Sequence, residues 1–330
     1  MPRFEVRPGH DGRWLVRDGG RLFLVPAEVG APLAGRRGAD RLAAWRELTA
    51  DQAWTSQPGR GRSSVWLRVT LVPDRLVGAL AARLRRLTTW TSLALLAGGG
   101  LAAIWVARGL APPPASKDGP LGLLLFVATV LAHELGHAAA LSREGWSPGA
   151  IGAGLLWVLP VAWCDVSGVT TLPRRGRVRV DLGGVAFQLA AAGAVALAAA
   201  ALGSRSGQLA ATGALIAVAW SLLPLIRTDG YWLACDLLGI EALEAPPPAG
   251  FRKRRIWLAA LRVATAGALV GIVAAAPFRL RDALAPGVAG PARLRWVAAG
   301  TVAVLVAIGA TRALQRAAAL AAAAWRDRRT

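Results

Sequence analysis

The sequence predicts an all-α polytopic membrane protein with about six transmembrane helices, preceded by a small α+β domain. Three observations carry that expectation. Hydrophobic residues make up 55% of 330 positions and mean hydropathy is +0.44. Several stretches of about 20 residues carry almost no charge, the length needed to cross a hydrocarbon core. Residues 1–86, by contrast, alternate short apolar runs with Gly and Asp turns.

In chain order, residues 4–6, 14–16 and 21–25 read as strands of a hairpin or meander, because apolar and polar positions alternate between turn signals. A helix is expected around 39–50, with apolar residues at Leu42, Ala43 and Trp45. Residues 65–72 alternate again, and Pro73-Asp74 opens an amphipathic helix through Arg86 that suits a membrane surface. The membrane part is read as spans at 87–107, 120–142, 182–203, 207–226, 256–277 and 295–311. The equally uncharged segment 145–164 is broken by Gly145, Pro148, Gly149, Gly152, Gly154 and Pro160. That density fits extended strands or a re-entrant hairpin sheltered by helices. The resulting division is 1–86, 87–118, 119–240 and 241–330.

A formal charge of +20 invites a nucleic-acid reading. The residues argue against one. Lys occurs only at Lys117 and Lys253, and the arginines gather at the ends of apolar spans, where they set topology and meet anionic lipid. They lack the interleaved aromatic platform of single-strand binders. Arg83, Arg85 and Arg86 before the first span place the N-terminal domain in the cytoplasm, and counting spans brings both termini inside. The 278–294 loop, with Arg279, Arg281 and Arg293, dissents. Cys164 and Cys235 alone imply no disulfide framework, and the charged N-terminus has no apolar signal-peptide core.

The chemistry concentrates in the second span, at His133-Glu134-Leu135-Gly136-His137. Helical positions i and i+4 share a face about 6 Å apart, so both imidazoles reach one ion. Glu134 stands beside that face, placed to take a proton from metal-bound water without being a ligand. Zinc suits two imidazoles and a carboxylate with a fourth position open. The bland alternative, two buried structural histidines and a stray glutamate, is disfavoured by position. An ionisable residue mid-span costs about 3 kcal/mol on insertion scales, and three here need compensation.

A third ligand must come from elsewhere, since the remaining histidine is His10. Asp165, Asp181, Asp229 and Asp236 are the carboxylate candidates, with Cys164 and Cys235 behind them. From His133 to the span's end at Ser142 the helix rises about 14 Å, so the partner belongs at shallow cytoplasmic depth. Asp229, just past the fourth apolar run, meets that demand, although a turn role before Gly230 is equally compatible. Spacing alone does not choose among the aspartates.

The His-Glu-Leu-Gly-His helix followed far downstream by Asp229-Gly230 resembles the site-2 protease family of intramembrane metalloproteases. The resemblance implies a three-helix core, here 120–142, 182–203 and 207–232, a membrane-embedded hairpin within 145–171, and Asp229 as the third zinc ligand. The family's middle core helix usually begins Ala-Gly-Pro-x-x-Asn, its Asn holding substrate near zinc. This chain has Gly183-Gly184-Val185-Ala186-Phe187-Gln188, with Pro and Asn both replaced. Gln188 stands where a substitute amide would act, or it bonds a neighbouring helix. Residues 67–75, 159–167, 172–175 and 224–232 resemble a bacterial branch of peptide zinc metalloproteases linked with peptide maturation and export. Asp165 recurs in that pattern beside Trp163-Cys164, as a ligand-orienting or substrate-contacting group or as a turn cap. Residues 1–60 are similar to small peptide-binding domains of ribosomal-peptide maturation systems.

Together these readings predict a zinc metalloendopeptidase of a bacterial inner membrane. It would cut a precursor peptide or transmembrane segment near the cytoplasmic face, with peptide export components as partners. Two rivals are a zinc-binding transport or export accessory and an inactive peptide-binding relative. Neither needs a carboxylate beside the ligands.

Overall fold

The computed structural model describes residues 4–8, 12–18, 21–51, 56–57, 65–110, 119–156, 159–224 and 227–239. The expected spans at 256–277 and 295–311, with the basic tail, lie outside them. The chain divides into two compact units, Met1–Ser221 and Leu222–Thr330.

Within the first unit the N-terminal residues form an antiparallel meander, β1 (Phe4–Pro8), β2 (Trp14–Asp18) and β3 (Arg21–Val25), closed by β4 (Ser56–Gln57). Two helices complete this layer, α1 (Ala27–Gly35) and α2 (Gly38–Asp51). The alternation in β1 to β3 sends Val6, Val16, Phe23 and Val25 into a core shared with Leu33, Ala44 and Trp45. Helix α1 was not legible from the sequence. Its Gly30, Pro32 and Gly35 read as breakers, yet Gly30 is where the helix presses on Trp14, whose ring a Cβ would overlap.

Strand β5 (Val65–Val72) does not join that meander. It pairs antiparallel with β6 (Ile151–Leu156), which pairs in turn with β7 (Leu159–Cys164), in a separate sheet of order β5-β6-β7. The Gly- and Pro-rich apolar segment is therefore strand, as expected. A segment counted with the N-terminal domain supplies its third strand.

Helix α3 (Asp74–Leu84) and a 3-10 turn at Arg85–Thr88 lead into α4 (Trp90–Leu110). One face of the amphipathic α3 packs against another helix. Val77 and Ala81 are buried with Ala138 of α5 (Gly119–Arg143), beside Leu131 and Leu135 of the same helix. Helix α6 (Arg174–Leu202) follows a 3-10 turn at Ser167–Thr171 and begins earlier than its apolar run, because Pro173 sets an extended N-cap before Arg174. Helix α7 (Arg205–Ser221) stops short of the expected 226, with Pro224 ahead of it. Among the described residues, three helices are long and apolar enough to cross a membrane: Trp90–Gly109, Pro120–Arg143 and Arg174–Leu202.

Small residues draw these helices together around α6. Gly136 of α5 faces Gly183 of α6 so closely that a Cβ on Gly136 would overlap the Gly183 carbonyl. Gly100 of α4 meets the backbone at Leu189, and Gly193 meets Gly100 in return. Ile104, Ala107, Ala192, Ala196, Ala211 and Ala214 fill the layer between α4, α6 and α7. Where lipid tails are as apolar as leucine, such close backbone approach is what holds helices together.

The N-terminal meander is anchored to the end of α5. Leu15 is fully buried in a cluster with Ala140, Leu141, Trp146, Val169, Leu172 and Val180. Arg7 donates to the carbonyl of Gly145 and stacks on Trp146, while Arg17 donates to the carbonyl of Ser147 at 2.8 Å. Glu144 pairs with Arg179 of α6, whose guanidinium lies 5.0 Å from the centroid of Trp90.

In the second unit α8 (Asp229–Leu238) starts after an extended Thr228 and ends at Gly239 in the left-handed region. Asp229 thus opens a short helix of its own rather than closing a long span.

Candidate metal centre

Helix α5 presents His133, Glu134 and His137 as buried residues, each less than a tenth exposed. The i, i+4 spacing stacks the imidazoles edge to face, with centroids 4.6 Å apart and the two Nε2 atoms 3.0 Å apart. His137 is oriented from α6. Its Nδ1 lies 2.7 Å from the carbonyl oxygen of Val180. A carbonyl only accepts, so Nδ1 carries the proton and Nε2 offers a lone pair. This is the second-sphere arrangement usual for a metal-ligating histidine.

One turn beyond Val180, Gly184 faces the same ring. A Cβ there would overlap Nε2 of His137 and come within 2.9 Å of Nε2 of His133. In space Gly183 admits α5 to close range, and Gly184 leaves room at the two nitrogens. Gln188, one further turn along that face of α6, is 3% exposed.

Ligand atoms of His133, His137 and Asp229 all lie within 4.8 Å of one another, a group that could hold a metal ion. The donor set fits zinc on chemical grounds. Bonds of about 2.0–2.1 Å in a tetrahedron separate two nitrogens by about 3.3 Å, close to the spacing of the imidazoles. Asp229 is the first residue of α8, where the helix dipole favours negative charge. The glycine after it is a steric requirement, because a Cβ on Gly230 would overlap the carbonyl of Leu222.

Among the described residues no other candidate ligand joins that group. Asp181 is buried next to Val180 on α6, and Asp236 is buried on α8. Asp165 ends the β6–β7 hairpin. Its backbone bonds Ala150 and Gly149 across the ladder, and its Oδ1 accepts from the amide and hydroxyl of Ser167. These are the contacts of a turn. Gly149 is packed against the Asp165 side chain, leaving no room for a Cβ. Cys235 is fully buried beside Tyr231. Burial, with the carboxylates of Glu134 and Asp165 adding to it, pushes the Cys164 thiol well above its ordinary value of 9.0. It therefore stays a neutral thiol near neutral pH.

Sequence reasoning missed Val180 and the role of Gly184. A backbone carbonyl leaves no mark in a sequence, and a glycine's purpose depends on what it faces. No protein-family model, curated protein or solved structure matches this chain.

Proposed function

We propose that this chain is a membrane-embedded zinc metalloendopeptidase of the site-2 protease type, cutting a peptide bond near the cytoplasmic side of a bacterial inner membrane. The observation that carries the reading is the His137 ring. It is locked through Nδ1 on Val180, with Nε2 turned beside that of His133 and facing a glycine. A purely structural histidine pair has no need of that clearance.

His133, His137 and Asp229 would hold the ion. Zinc so placed supplies a Lewis acid and a water acidified toward neutral pH. Glu134, adjacent to the first ligand and buried with it, would act as the general base and carry a proton to the leaving amine. Gln188 offers a side-chain amide to an extended peptide on the same face of α6. The peptide must be extended, because a helix hides its carbonyls behind its own hydrogen bonds. Its substrates in this reading are precursor peptides or transmembrane segments handled by peptide export components. Nucleic acid is not among its partners, and both termini face the cytoplasm.

The test is metal content and cleavage of peptides encoded by neighbouring genes, in detergent, for wild type, Glu134→Ala and Asp229→Ala. The expected result is about one zinc in wild type and Glu134→Ala, metal loss in Asp229→Ala, and cleavage only in wild type. General acid–base catalysis contributes on the order of 10²- to 10⁴-fold, so Glu134→Ala should fall by that factor. Zinc bound with no cleavage by wild type would instead identify a non-proteolytic accessory, and cleavage surviving Glu134→Ala would sink the proton-transfer role of Glu134.

A further inference from the structure

We infer that β5 is a lipid-contacting strand, its outer face lodged at the boundary between acyl chains and headgroups of the leaflet nearest the metal motif. The inference goes beyond the proteolytic reading but rests on the chain being membrane-embedded. Leu67, Val69 and Leu71 are 66%, 56% and 52% exposed on a strand whose register shifts between Trp66 and Val69 and again between Thr70 and Val72. Three large apolar side chains in a row on an edge strand would invite aggregation in water.

The strand's neighbours fix its depth. Val72 at its end and Val77 just beyond pack with Leu131, Leu135 and Ala138, the turns of α5 that carry His133 and His137. The Val72 end of β5 therefore lies at the level of the metal motif. From there α3 leads to Arg83, Arg85 and Arg86, all exposed, and then to the half-exposed Trp90 that opens α4. Basic residues followed by an aromatic at the start of an apolar helix mark the headgroup layer.

Lipid is the occupant that this charge and continuity fit. Among the described residues, the outer edge of β5 has no partner strand in its sheet. Its backbone groups require hydrogen bonds that acyl chains cannot give. That places the edge at the hydrated boundary, with Leu67, Val69 and Leu71 turned toward the tails.

Full-length protein with Cys164 and Cys235 replaced by Ala would receive one cysteine, Val69→Cys, labelled with an environment-sensitive dye in phosphatidylglycerol–phosphatidylethanolamine vesicles. Leu124→Cys on the exposed face of α5 is the lipid reference and Arg46→Cys on α2 the water reference. We expect blue-shifted emission at 69, quenched more by 5-doxyl than by 12-doxyl lipid and resistant to iodide. Water-like emission at 69 beside lipid-like emission at 124 would overturn the inference and leave the membrane reading intact. A dye at 69 shielded from both doxyl lipid and iodide would also overturn it, pointing to a protein strand on that edge. Water-like emission at both 69 and 124 would sink the membrane reading, and this inference with it.

Discussion

His137 gives its Nδ1 proton to the carbonyl oxygen of Val180, 2.7 Å away on the neighbouring helix. The contact ties the metal motif of α5 to a specific turn of α6. What happens to the site then depends on how those two helices meet, and the helix contact is made of glycines.

Gly184→Ala places a methyl against the imidazole nitrogens. Zinc affinity, measured by competition with a chromophoric chelator, should fall about 10- to 100-fold, the scale of losses when ligand support is disturbed. Size-exclusion behaviour and helical circular dichroism should stay unchanged. Retained affinity would show that the ring nitrogens do not face α6 as described.

Gly136→Ala meets backbone rather than a yielding side chain, namely the Gly183 carbonyl. Overpacking of this kind costs about 1–3 kcal/mol. A lower thermal midpoint in detergent is expected, together with weaker zinc retention because both ligands share the displaced helix. Gly99→Ala, where a Cβ would meet nothing, serves as the neutral control.

Arg17 is 4% exposed and bonds the Ser147 carbonyl just past the end of α5. Arg17→Ala leaves that carbonyl without its donor, and losses of about 1–3 kcal/mol follow from such deletions. Limited proteolysis should then release the N-terminal meander faster than from wild type, with no change in the susceptibility of the α4–α6 core. Equal release rates would argue that the meander is held by Leu15 and Arg7 alone.

The elevated Cys164 thiol gives a sign for pH dependence. Its folded value lies above the ordinary 9.0, so the folded state keeps a proton that the unfolded chain surrenders. The contribution is intact below the unfolded value and lost as pH rises through it toward the folded one. Alkylation of the native protein should remain slow between pH 7 and 9. Cys164→Ala should flatten the alkaline decline in thermal midpoint. An unaltered alkaline slope in that variant would remove Cys164 as its cause.

Much of the fold was legible because its signals are local. Period-two alternation gave β1, β2, β3 and β5, and uncharged runs located α4 to α7. Gly and Pro density identified the β6–β7 hairpin. The pairing of β5 with β6 was not legible, since neither strand's own pattern names a partner so distant in sequence. At the site, the i, i+4 histidines announced themselves because charge inside an apolar run is costly. Asp229 stood among several aspartates, and only spatial proximity distinguishes it. The helical role of 27–35 was concealed by residues whose smallness serves contact with Trp14.

The joining of β5 to β6 also has a bearing on biosynthesis. The ribosome delivers β5 and α4 well before the metal helix, and the hairpin later still. Until α5 has inserted and the chain has turned back, β5 has no strand to pair with and α3 has no helix to lean on. The wall beside the histidines thus joins a segment made early to one made later. A nascent chain stalled between α4 and α5 would hold an exposed, unpaired apolar strand, a natural target for chaperones and quality-control proteases.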